Sequence, residues 1–372
     1  MKLLNKITEP TLLLDKGKCI LNIRRMVQKA KRNNVHFRPH FKTHQSVEIG
    51  EWFRQEGVLS ISVSSLKMAK YFAESGWDDI TLAFPVNIRE ASQINELAGK
   101  INLNLLFIHP ETVEFLDLFL ENQVGGLIKI DTGYHRSGIP ASDNKKVSKL
   151  WKIIRNSGNI RFKGLLAHTG QNYHASSKKE VVANYYNTLD QLQEVAGNIS
   201  NDQDKIMISI GDTPSCSIVD DLSGVDEIRP GNFVFYDLMQ YKLGSCRPDQ
   251  VAVVMACPVV SVRKERNEVV IWGGAVHFSK EQILHENKIP SYGQVAELTK
   301  EGWKWTGGDE FLASVSQEHG IVKLAPEKIT KIKPGDLLGI IPVHSCLTAN
   351  LMKGYLTLDG KKIDHLSGTL EV

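Results

Sequence analysis

Hydrophobic and polar positions alternate in two different ways along the chain. From residue 10 to about residue 240, short β-rich hydrophobic runs are separated by longer segments of helical periodicity, a pattern that predicts βα units around a parallel sheet. The candidate strands are residues 11–14, 35–41, 60–63, 80–86, 104–108, 127–130, 164–167 and 206–210. Eight strands favour closure into a (β/α)8 barrel of the TIM type, although an open doubly wound sheet would show a similar pattern.

After residue 241 the pattern changes. The segments VAVVMACPVVSVRKERNEVVIWGG and KPGDLLGIIPVH contain β-branched runs interrupted by Gly, Pro and charged turns, with few long helical stretches. They predict a β-rich C-terminal domain. The segment CRPDQ at 246–250 is the best boundary, so we expect an α/β barrel domain over residues 1–245 and a β-domain over residues 246–372.

Composition narrows the possible partners. The chain has 372 residues with 45 basic and 42 acidic side chains, and this small, evenly spread net charge predicts no nucleic-acid partner. The longest apolar run, residues 251–260, contains Pro258 and is shorter than the roughly 20 residues that cross a bilayer. Polar residues also interrupt the N-terminal MKLLNKITEP, so we expect no membrane partner and a cytoplasmic protein.

The five cysteines are odd in number, scattered, and form no CxxC pair. This pattern favours reduced thiols over a disulfide framework, which again is typical of the cytoplasm. Any metal site must therefore use mixed ligands.

A lysine follows the second candidate strand in VHFRPHFK. A period of two would place Arg38, His40 and Lys42 on one face, with Lys42 near the carboxyl end of the strand. Barrel enzymes build their active sites at that end, and cationic neighbours favour the neutral amine that Schiff-base chemistry needs. The alternative is an ordinary solvated strand end.

Two further strand ends carry basic groups. The segment KIDTGYHRSG, residues 129–138, contains Arg136 and two turn glycines, and GLLAHTG, residues 164–170, brings His168 to the end of the next strand. Each segment alone is also compatible with an ordinary βα turn or a buried structural histidine.

The segment GDTPS at 211–215 predicts a helix N-terminus, with Thr213 as the cap and Pro214 in the first helical position. Backbone N–H groups at such an end attract phosphate, and the loops after the last two barrel strands are the usual phosphate position in this fold. The segment RPGN at 229–232 offers a second glycine turn near Tyr236. A simple capped helix is the alternative.

His344 and Cys346 stand two residues apart after Pro342, in a segment that we expect to be extended, so that both side chains share a face. Imidazole and thiolate favour zinc over magnesium or calcium. Only this pair is visible, which would leave coordination positions for water and substrate. An isolated HxC pair can also arise by chance.

Together these segments resemble the fold-type III pyridoxal-phosphate enzymes, which have alanine-racemase-like barrels, and more closely their D-threonine aldolase and D-serine dehydratase branch. The resemblance spans nearly the whole chain. It is carried by RPHFKTH at 38–44, residues 129–138, HTGQNY at 168–173, residues 211–215, residues 229–232 and HSC at 344–346.

The resemblance implies that Lys42 binds pyridoxal 5'-phosphate covalently through an imine and later acts as the catalytic base. It also implies that Thr213, Gly231 and Asn232 hold the phosphate, together with Tyr236.

Four more cofactor contacts follow from the same resemblance. His168 would stack on the pyridine ring and Arg136 would lie near its phenolic oxygen. Either Tyr173 or Arg229 would face the ring nitrogen.

In this family the positions of His344 and Cys346 resemble a metal site beside the cofactor. The aldolases tend to carry Asp where this chain has Cys346, whereas D-serine dehydratases carry Cys. The resemblance therefore implies a zinc-dependent lyase that converts β-hydroxy-D-amino acids, such as D-serine, into keto acid and ammonia. Retro-aldol cleavage to glycine and an aldehyde is the alternative. A homodimer is also implied.

Three other hypotheses about function have less support than a lyase. The motifs SxxK at 64–67, SDN at 142–144 and HTG at 168–170 approximate those of penicillin-recognising serine enzymes, but their spacing is too short for the intervening domain. A non-enzymatic pyridoxal-phosphate carrier would lack the second domain. An amino-acid racemase would need a second base opposite Lys42.

Overall fold

A computed structural model describes residues 3–199, 205–284, 288–305 and 307–367. The chain forms two compact units. The barrel unit comprises the described residues of Arg24–Lys42 and Phe53–Gly231, and the β unit comprises those of Met1–Ile23, Thr43–Trp52 and Asn232–Val372. The expected domain boundary between residues 245 and 246 stays a prediction.

Eight parallel strands form the sheet of the barrel unit. They are His36–Phe37, Ile61–Val63, Asp79–Pro85, Asn102–Phe107, Val124–Asp131, Ile160–Ala167, Met207–Ile210 and Glu227–Ile228. The last strand pairs with the first, and a parallel bridge between His40 and Ser62 links the segment after the first strand to the second. The expected (β/α)8 barrel is thereby confirmed.

Leu106, Leu127 and Leu166, on three neighbouring strands of this sheet, form one buried cluster with 0–2 % exposure. Ile139–Pro140 is a short additional strand beside Val124–Asp131. The helices of the unit are Leu66–Glu74, Ala91–Ala98, Pro110–Phe119, Asn144–Asn156, Lys178–Ile199 and Thr213–Ile218.

Helices Lys16–Arg32 and Val47–Gln55 have residues in both units. The helices of the β unit are Leu238–Lys242, Ala275–Phe278, Pro326–Ile329 and Ser345–Met352. Short 3-10 helices occupy Leu4–Lys6, Ile88–Glu90, Gly170–His174, Asn232–Val234, Pro248–Gln250 and Lys264–Arg266. Among the described residues, none of the helices combines the length and the apolar character needed to cross a bilayer.

The β unit contains a mainly antiparallel sheet, which confirms the expected β-rich C-terminal part. Its strands are Thr11–Leu14, Val253–Arg263, Glu268–Trp272, Gly293–Thr299, Gly302–Lys304, Phe311–Val315, His319–Lys323, Leu337–Pro342, Tyr355–Thr357 and Lys362–Ile363. A separate hairpin joins Ile283–Leu284 to Pro290–Ser291.

One strand assignment in the sequence analysis was wrong. Thr11–Leu14 is a strand, but it lies in the sheet of the β unit between Val253–Arg263 and Tyr355–Thr357. The eighth barrel strand is instead Glu227–Ile228. Its two residues, one of them charged, give no hydrophobic alternation, whereas the leucine run at 12–14 is typical of any strand that is buried on both faces.

Candidate functional site

A cavity of about 290 Å³ lies within the barrel unit. Lysine, arginine and histidine side chains dominate its lining: His40, Lys42, Lys129, Arg136, His168 and Arg229. Ser64, Ala83, Phe84, Pro85, Ser137 and Leu166 complete it, so no carboxylate of the described chain lines this cavity. A concave surface of one charge sign raises the local concentration of the opposite charge, and this cavity therefore favours an anionic ligand.

Lys42 reaches this cavity because the residue before it is firmly anchored. Phe41 is fully buried, and its ring centroid lies 4.9–5.1 Å from those of Phe53, Phe72 and Trp77. The Lys42 side chain itself is exposed. The aromatic cluster thus fixes the point from which the Lys42 amine extends.

Arg38 does not share the cavity with Lys42, contrary to the expectation from period two. It is buried, and its guanidinium forms ion pairs of 2.7 Å with Asp79 and with Glu227. The regular strand ends at Phe37, so the alternation of side chains does not extend to His40 and Lys42.

Arg229 is a buried cation whose orientation is fixed. Its Nε donates to Ser209 Oγ at 2.7 Å and its Nη2 donates to the Ala167 carbonyl at 2.7 Å. Burial lowers the pKa of Arg229 to about 10, which leaves the guanidinium charged at neutral pH. It therefore presents a fixed positive charge to the cavity.

Lys129 is the second lysine of the cavity, and the sequence analysis gave it no role. It is buried, and its Nζ donates to Ser137 Oγ. Burial, followed by the charges of Arg136 and Arg229, lowers its pKa to about 8. Arg136 itself is exposed, with its guanidinium carbon 5.1 Å from the centroid of Tyr134.

The His168 imidazole is oriented by its own hydrogen bond, because Nδ1 donates to the Gly211 carbonyl. Burial and the nearby charges of Lys42 and Arg136 hold its pKa well below the usual value, so the ring is neutral. The Tyr173 ring centroid lies 6.2 Å away. Tyr173 does not line the cavity, whereas Arg229 does.

The helix start after residue 210 differs in detail from the expectation. Asp212, not Thr213, is the cap, because its Oδ2 accepts from the Ser215 N–H at 2.8 Å. Thr213 is consequently in the helix, and its buried Oγ1 has no hydrogen-bond partner within the described residues. A buried hydroxyl without a partner is costly, and a phosphate oxygen would supply the missing acceptor.

Gly211 precedes this cap and packs closely on the arginine of the cavity. A Cβ at this position would lie 2.9 Å from Arg229 Cβ, so only glycine fits without a shift. With Thr213, the cationic lining and the exposed Lys42 amine, the barrel unit offers groups that fit a phosphate-bearing aldehyde cofactor. Gly231 is half-buried at the end of this unit, and its cofactor contact stays a prediction.

His344 and Cys346 come together in the β unit, although the segment is not extended as expected. His344 is the cap of helix Ser345–Met352, and Cys346 lies in its first turn. The two side chains are hydrogen-bonded. Burial lowers the pKa of His344, but the bond to Cys346 and the charges of Cys346, Asp237 and Glu281 outweigh it and raise the pKa to about 9.

Polar groups surround the Cys346 sulfur. Thr43 Oγ1 lies 3.2 Å from Sγ, and Asn232 Nδ2 donates to Sγ at 3.4 Å. The Asn232 amide also donates to Asp237 and Ser345. Its side chain is therefore engaged beside Cys346, and the expected phosphate contact of Asn232 stays a prediction that would use its backbone N–H.

Tyr236, the other predicted phosphate contact of this unit, is buried and has a left-handed backbone with φ of 50°. Its N–H donates to the Asn232 carbonyl at 2.8 Å. This bond keeps the residues from 232 to 236 in a compact turn. Its contact with a cofactor also stays a prediction.

The His344–Cys346 pair fits an open zinc site. Nitrogen and thiolate sulfur are preferred zinc donors, and a catalytic site keeps positions for water or substrate. In the described part of the chain, no group of three or more His, Cys, Asp or Glu side chains could hold a metal ion. All five cysteines are free. Among the described residues a cation bound here would find no third His, Cys, Asp or Glu ligand, which leaves coordination positions for water or substrate.

Two family models match the chain. Residues 14–238 match the family described as "Alanine racemase, N-terminal domain". Residues 252–358 match the family described as "Putative serine dehydratase domain", and this segment includes His344 and Cys346. The first match covers more than half of the chain.

Curated relatives cover nearly the same length. D-serine dehydratase of Dictyostelium discoideum is 28% identical, over 95% of this chain and 93% of its own. D-threo-3-hydroxyaspartate dehydratase of Delftia sp. strain HT23 is 28% identical, over 94% of this chain and 93% of its own. D-threonine aldolase of Arthrobacter sp. is 24% identical over 95% of this chain and 90% of its own.

The solved structure of the Delftia dehydratase has a TM-score of 0.90 with this chain at 27% identity, and covers 99% of this chain and 100% of its own. A solved structure of a D-threo-3-hydroxyaspartate dehydratase with a cysteine-to-alanine substitution, 26% identical to this chain with a TM-score of 0.89, is in a metal-free form. The fold and the family resemblance expected from the sequence are thus confirmed.

Proposed function

The chain belongs to the alanine racemase N-terminal domain family, here joined to a serine dehydratase domain, and we propose that it is a D-serine dehydratase-type lyase. It would eliminate water from β-hydroxy-D-amino acids and give a keto acid and ammonia. The observation that carries the proposal is the position of His344 and Cys346 inside the segment that matches the dehydratase domain. The dehydratase relatives are also more similar than the aldolase relative, which supports dehydration over retro-aldol cleavage.

The family depends on pyridoxal 5'-phosphate, which when bound supplies an electron sink for negative charge at the substrate Cα. Lys42 would hold it covalently through its amine, and Thr213, Gly231 and the Asn232 backbone would hold its phosphate, with Tyr236 beside them. The buried Thr213 hydroxyl, which has no hydrogen-bond partner among the described residues, supports this assignment.

The remaining cavity residues would orient the cofactor ring. Neutral His168 would stack on it, and Arg136 would lie near its phenolic oxygen. Arg229 would face the ring nitrogen, which is favoured because Arg229 lines the cavity and Tyr173 does not. A guanidinium remains charged at neutral pH, so it would donate a hydrogen bond to this nitrogen rather than protonate it.

Two groups of this chain would act on the substrate. The Lys42 amine, once the substrate amine has replaced it, would remove the α-proton. His344 and Cys346 would hold a zinc ion, which as a Lewis acid stabilises the leaving hydroxide. Hydroxide is otherwise a poor leaving group, so elimination needs such help.

The test is to identify the products. Purified protein, with and without a chelator, is incubated with D-serine, D-threonine and D-threo-3-hydroxyaspartate. We expect keto acid and ammonia, and their loss on chelation and in Cys346→Ala. Glycine and an aldehyde as the main products would show that the protein catalyses the aldolase reaction instead of dehydration. Undiminished turnover of Cys346→Ala in the presence of chelator would show that the reaction needs no metal.

The lysine is tested separately. Borohydride reduction followed by peptide mass spectrometry should locate the cofactor on Lys42, and the adduct should disappear in Lys42→Ala. Lys129→Met is the matched control, because it removes the other lysine of the same cavity and should keep the adduct. An adduct on Lys129 instead would overturn the assignment.

The assembly and location also belong to this proposal. The family resemblance supports a homodimer, which light scattering would report as twice the mass of the chain. The five free cysteines support a reducing compartment, the cytoplasm.

A further inference from the structure

Asp237 is a buried carboxylate that accepts an unusual number of hydrogen bonds. Its Oδ2 accepts from Asn232 Nδ2 at 2.6 Å, from the Ser345 N–H at 2.9 Å and from Ser345 Oγ at 3.2 Å. Its Oδ1 accepts from the Gln240 N–H at 2.9 Å. Four donors on one side chain with 1 % exposure are typical of an ionised, acceptor-only group.

These bonds reach the predicted metal ligands by two routes. Ser345 stands between His344 and Cys346, and Asp237 holds both its N–H and its hydroxyl, which fixes the residue that links the two ligands. The second route runs through Asn232, whose amide donates to Asp237 and also to Cys346 Sγ at 3.4 Å. Neither route includes a direct contact between Asp237 and the sulfur.

The backbone next to these residues is also tied together. The Met239 N–H donates to the Val343 carbonyl at 3.2 Å, one residue before His344. Helix Leu238–Lys242, which Asp237 caps, is thereby attached to the segment that leads into the ligand pair. The residues on either side of His344 are therefore both held: Val343 by the Met239 N–H, and Ser345 by the Asp237 side chain.

The charges around the pair support the same role. Among the described residues Asp237 forms no direct ion pair with a lysine, arginine or histidine, so its hydrogen bonds are the direct contacts that compensate for its burial. A divalent cation held by His344 and a Cys346 thiolate would leave one positive charge, which Asp237 would balance. Buried carboxylates that orient metal ligands through hydrogen bonds are a general feature of metal sites.

We propose that Asp237 is the positioning residue of the metal pair: through Ser345 and Asn232 it holds His344 and Cys346 in the geometry that binds zinc. This inference rests on the proposed function, which assigns the metal to that pair. Asp237 does not itself ligate the ion.

The experiment measures the zinc dissociation constant of the cofactor-loaded protein by competition with a chromophoric chelator. Asp237→Asn removes the negative charge and replaces one acceptor oxygen by an NH2 group. That group either faces the donors at Oδ2 or leaves the Gln240 N–H, at the start of helix Leu238–Lys242, without its acceptor. We expect zinc binding to weaken by about 10- to 100-fold. Ser345→Ala removes the two hydroxyl bonds, to Asp237 and from Asn232, but keeps the bond from the Ser345 N–H. It should weaken zinc binding less, by at least about threefold.

Asp364→Asn is the matched control. Asp364 lies in the same unit and also caps a helix, but its hydrogen bonds go to Ser46, Val47 and Glu48. The zinc affinity of Asp364→Asn should stay within about twofold of the wild-type value, since none of these bonds leads to Ser345, Asn232 or the two metal ligands. If Asp237 were merely structural, Asp237→Asn would behave like the control Asp364→Asn. Each would lower the unfolding temperature of the zinc-free protein and leave its zinc affinity unchanged.

The outcomes separate the two proposals. Wild-type zinc affinity in both Asp237→Asn and Ser345→Ala would overturn the positioning role while leaving the metal site intact. If Asp237→Asn does not fold, Ser345→Ala decides alone. Wild-type zinc affinity in Cys346→Ala would instead overturn the metal pair itself, and with it the metal part of the proposed function.

Discussion

Lys42 and Lys129 line one cavity but differ in their surroundings. Lys42 is exposed, whereas Lys129 is 6 % exposed and donates to Ser137. A covalent link to the cofactor requires an amine that the cofactor can reach, which favours Lys42. Lys129 is better suited to attract an anionic ligand electrostatically, and the fraction of its amine that is protonated depends on pH.

The pH dependence of Lys129 can be measured with pyridoxamine 5'-phosphate, whose amine cannot form an imine with a lysine. An anionic ligand favours the protonated Lys129, whose pKa in the ligand-free protein is about 8 because of burial and of Arg136 and Arg229. Affinity should therefore be constant below pH 8 and fall as the pH rises through 8, by up to about tenfold per pH unit.

Equilibrium titrations between pH 6.5 and pH 9, on the order of one unit either side of this pKa, give the slope. Lys129→Met should bind more weakly near neutral pH and lose the slope. The same slope in the variant would assign the titration to another group of the cavity.

The sequence revealed the chemistry of single residues better than their contacts. Cavity-lining Lys42, Arg136 and His168 were singled out by their positions near strand ends, and Arg229 by the family resemblance. Asp237 was missed because its bond to Ser345 spans 108 residues, and no local pattern reports such a contact.

At the scale of elements, the start of helix Val47–Gln55 depends on a distant carboxylate. Asp364 accepts from the Val47 N–H at 2.7 Å and from the Glu48 N–H at 3.1 Å, and also from Ser46 Oγ at 2.7 Å. A side chain 317 residues away thus satisfies the free N–H groups of the first turn.

Asp364→Ala should lower the free energy of unfolding by about 1–2 kcal/mol, as the loss of a helix cap does. Urea denaturation would measure it. Asp190→Ala, at an exposed helical position, is the control and should change the free energy of unfolding by less than about 0.5 kcal/mol. Equal effects of the two substitutions would show that the cap contributes nothing.

Short elements limited the prediction at this scale. The two-residue strand Glu227–Ile228 closes the barrel through backbone hydrogen bonds, and such a strand needs no hydrophobic alternation. Helix Ser345–Met352 begins only three residues after strand Leu337–Pro342 ends. The sequence pattern therefore predicted that its first turn continues the extended strand. Backbone pairing and capping, rather than hydrophobic period, decide both cases.

At the scale of the molecule, the first strand stabilises the sheet of the β unit from its interior. Leu12, Leu13 and Leu14 have 2 %, 0 % and 0 % exposure, and the strand pairs with a neighbour on each side. The alternation of strands and helices predicted the barrel correctly. It could not show that Thr11–Leu14 pairs with residues of the C-terminal half, because strand period carries no information about partners.

Leu13→Ala should therefore lower the free energy of unfolding by about 2–5 kcal/mol, since it leaves a cavity in a fully buried layer. Denaturant unfolding followed by circular dichroism would measure it. Leu21→Ala is the matched control because Leu21 is 47 % exposed, and it should cost less than about 1 kcal/mol. A cost for Leu13→Ala as small as that of the control would contradict a structural role for this strand.

The pairing of Thr11–Leu14 with Val253–Arg263 also sets an order of events on the ribosome. The strand leaves the exit tunnel early, but its antiparallel partner is translated only about 240 residues later, a delay on the order of ten seconds to a minute at roughly 5–20 residues per second. During that interval three consecutive leucines have no sheet to join. The nascent chain thus exposes this hydrophobic segment until Val253–Arg263 has been translated, and protection of the segment from solvent reports that synthesis has passed that strand.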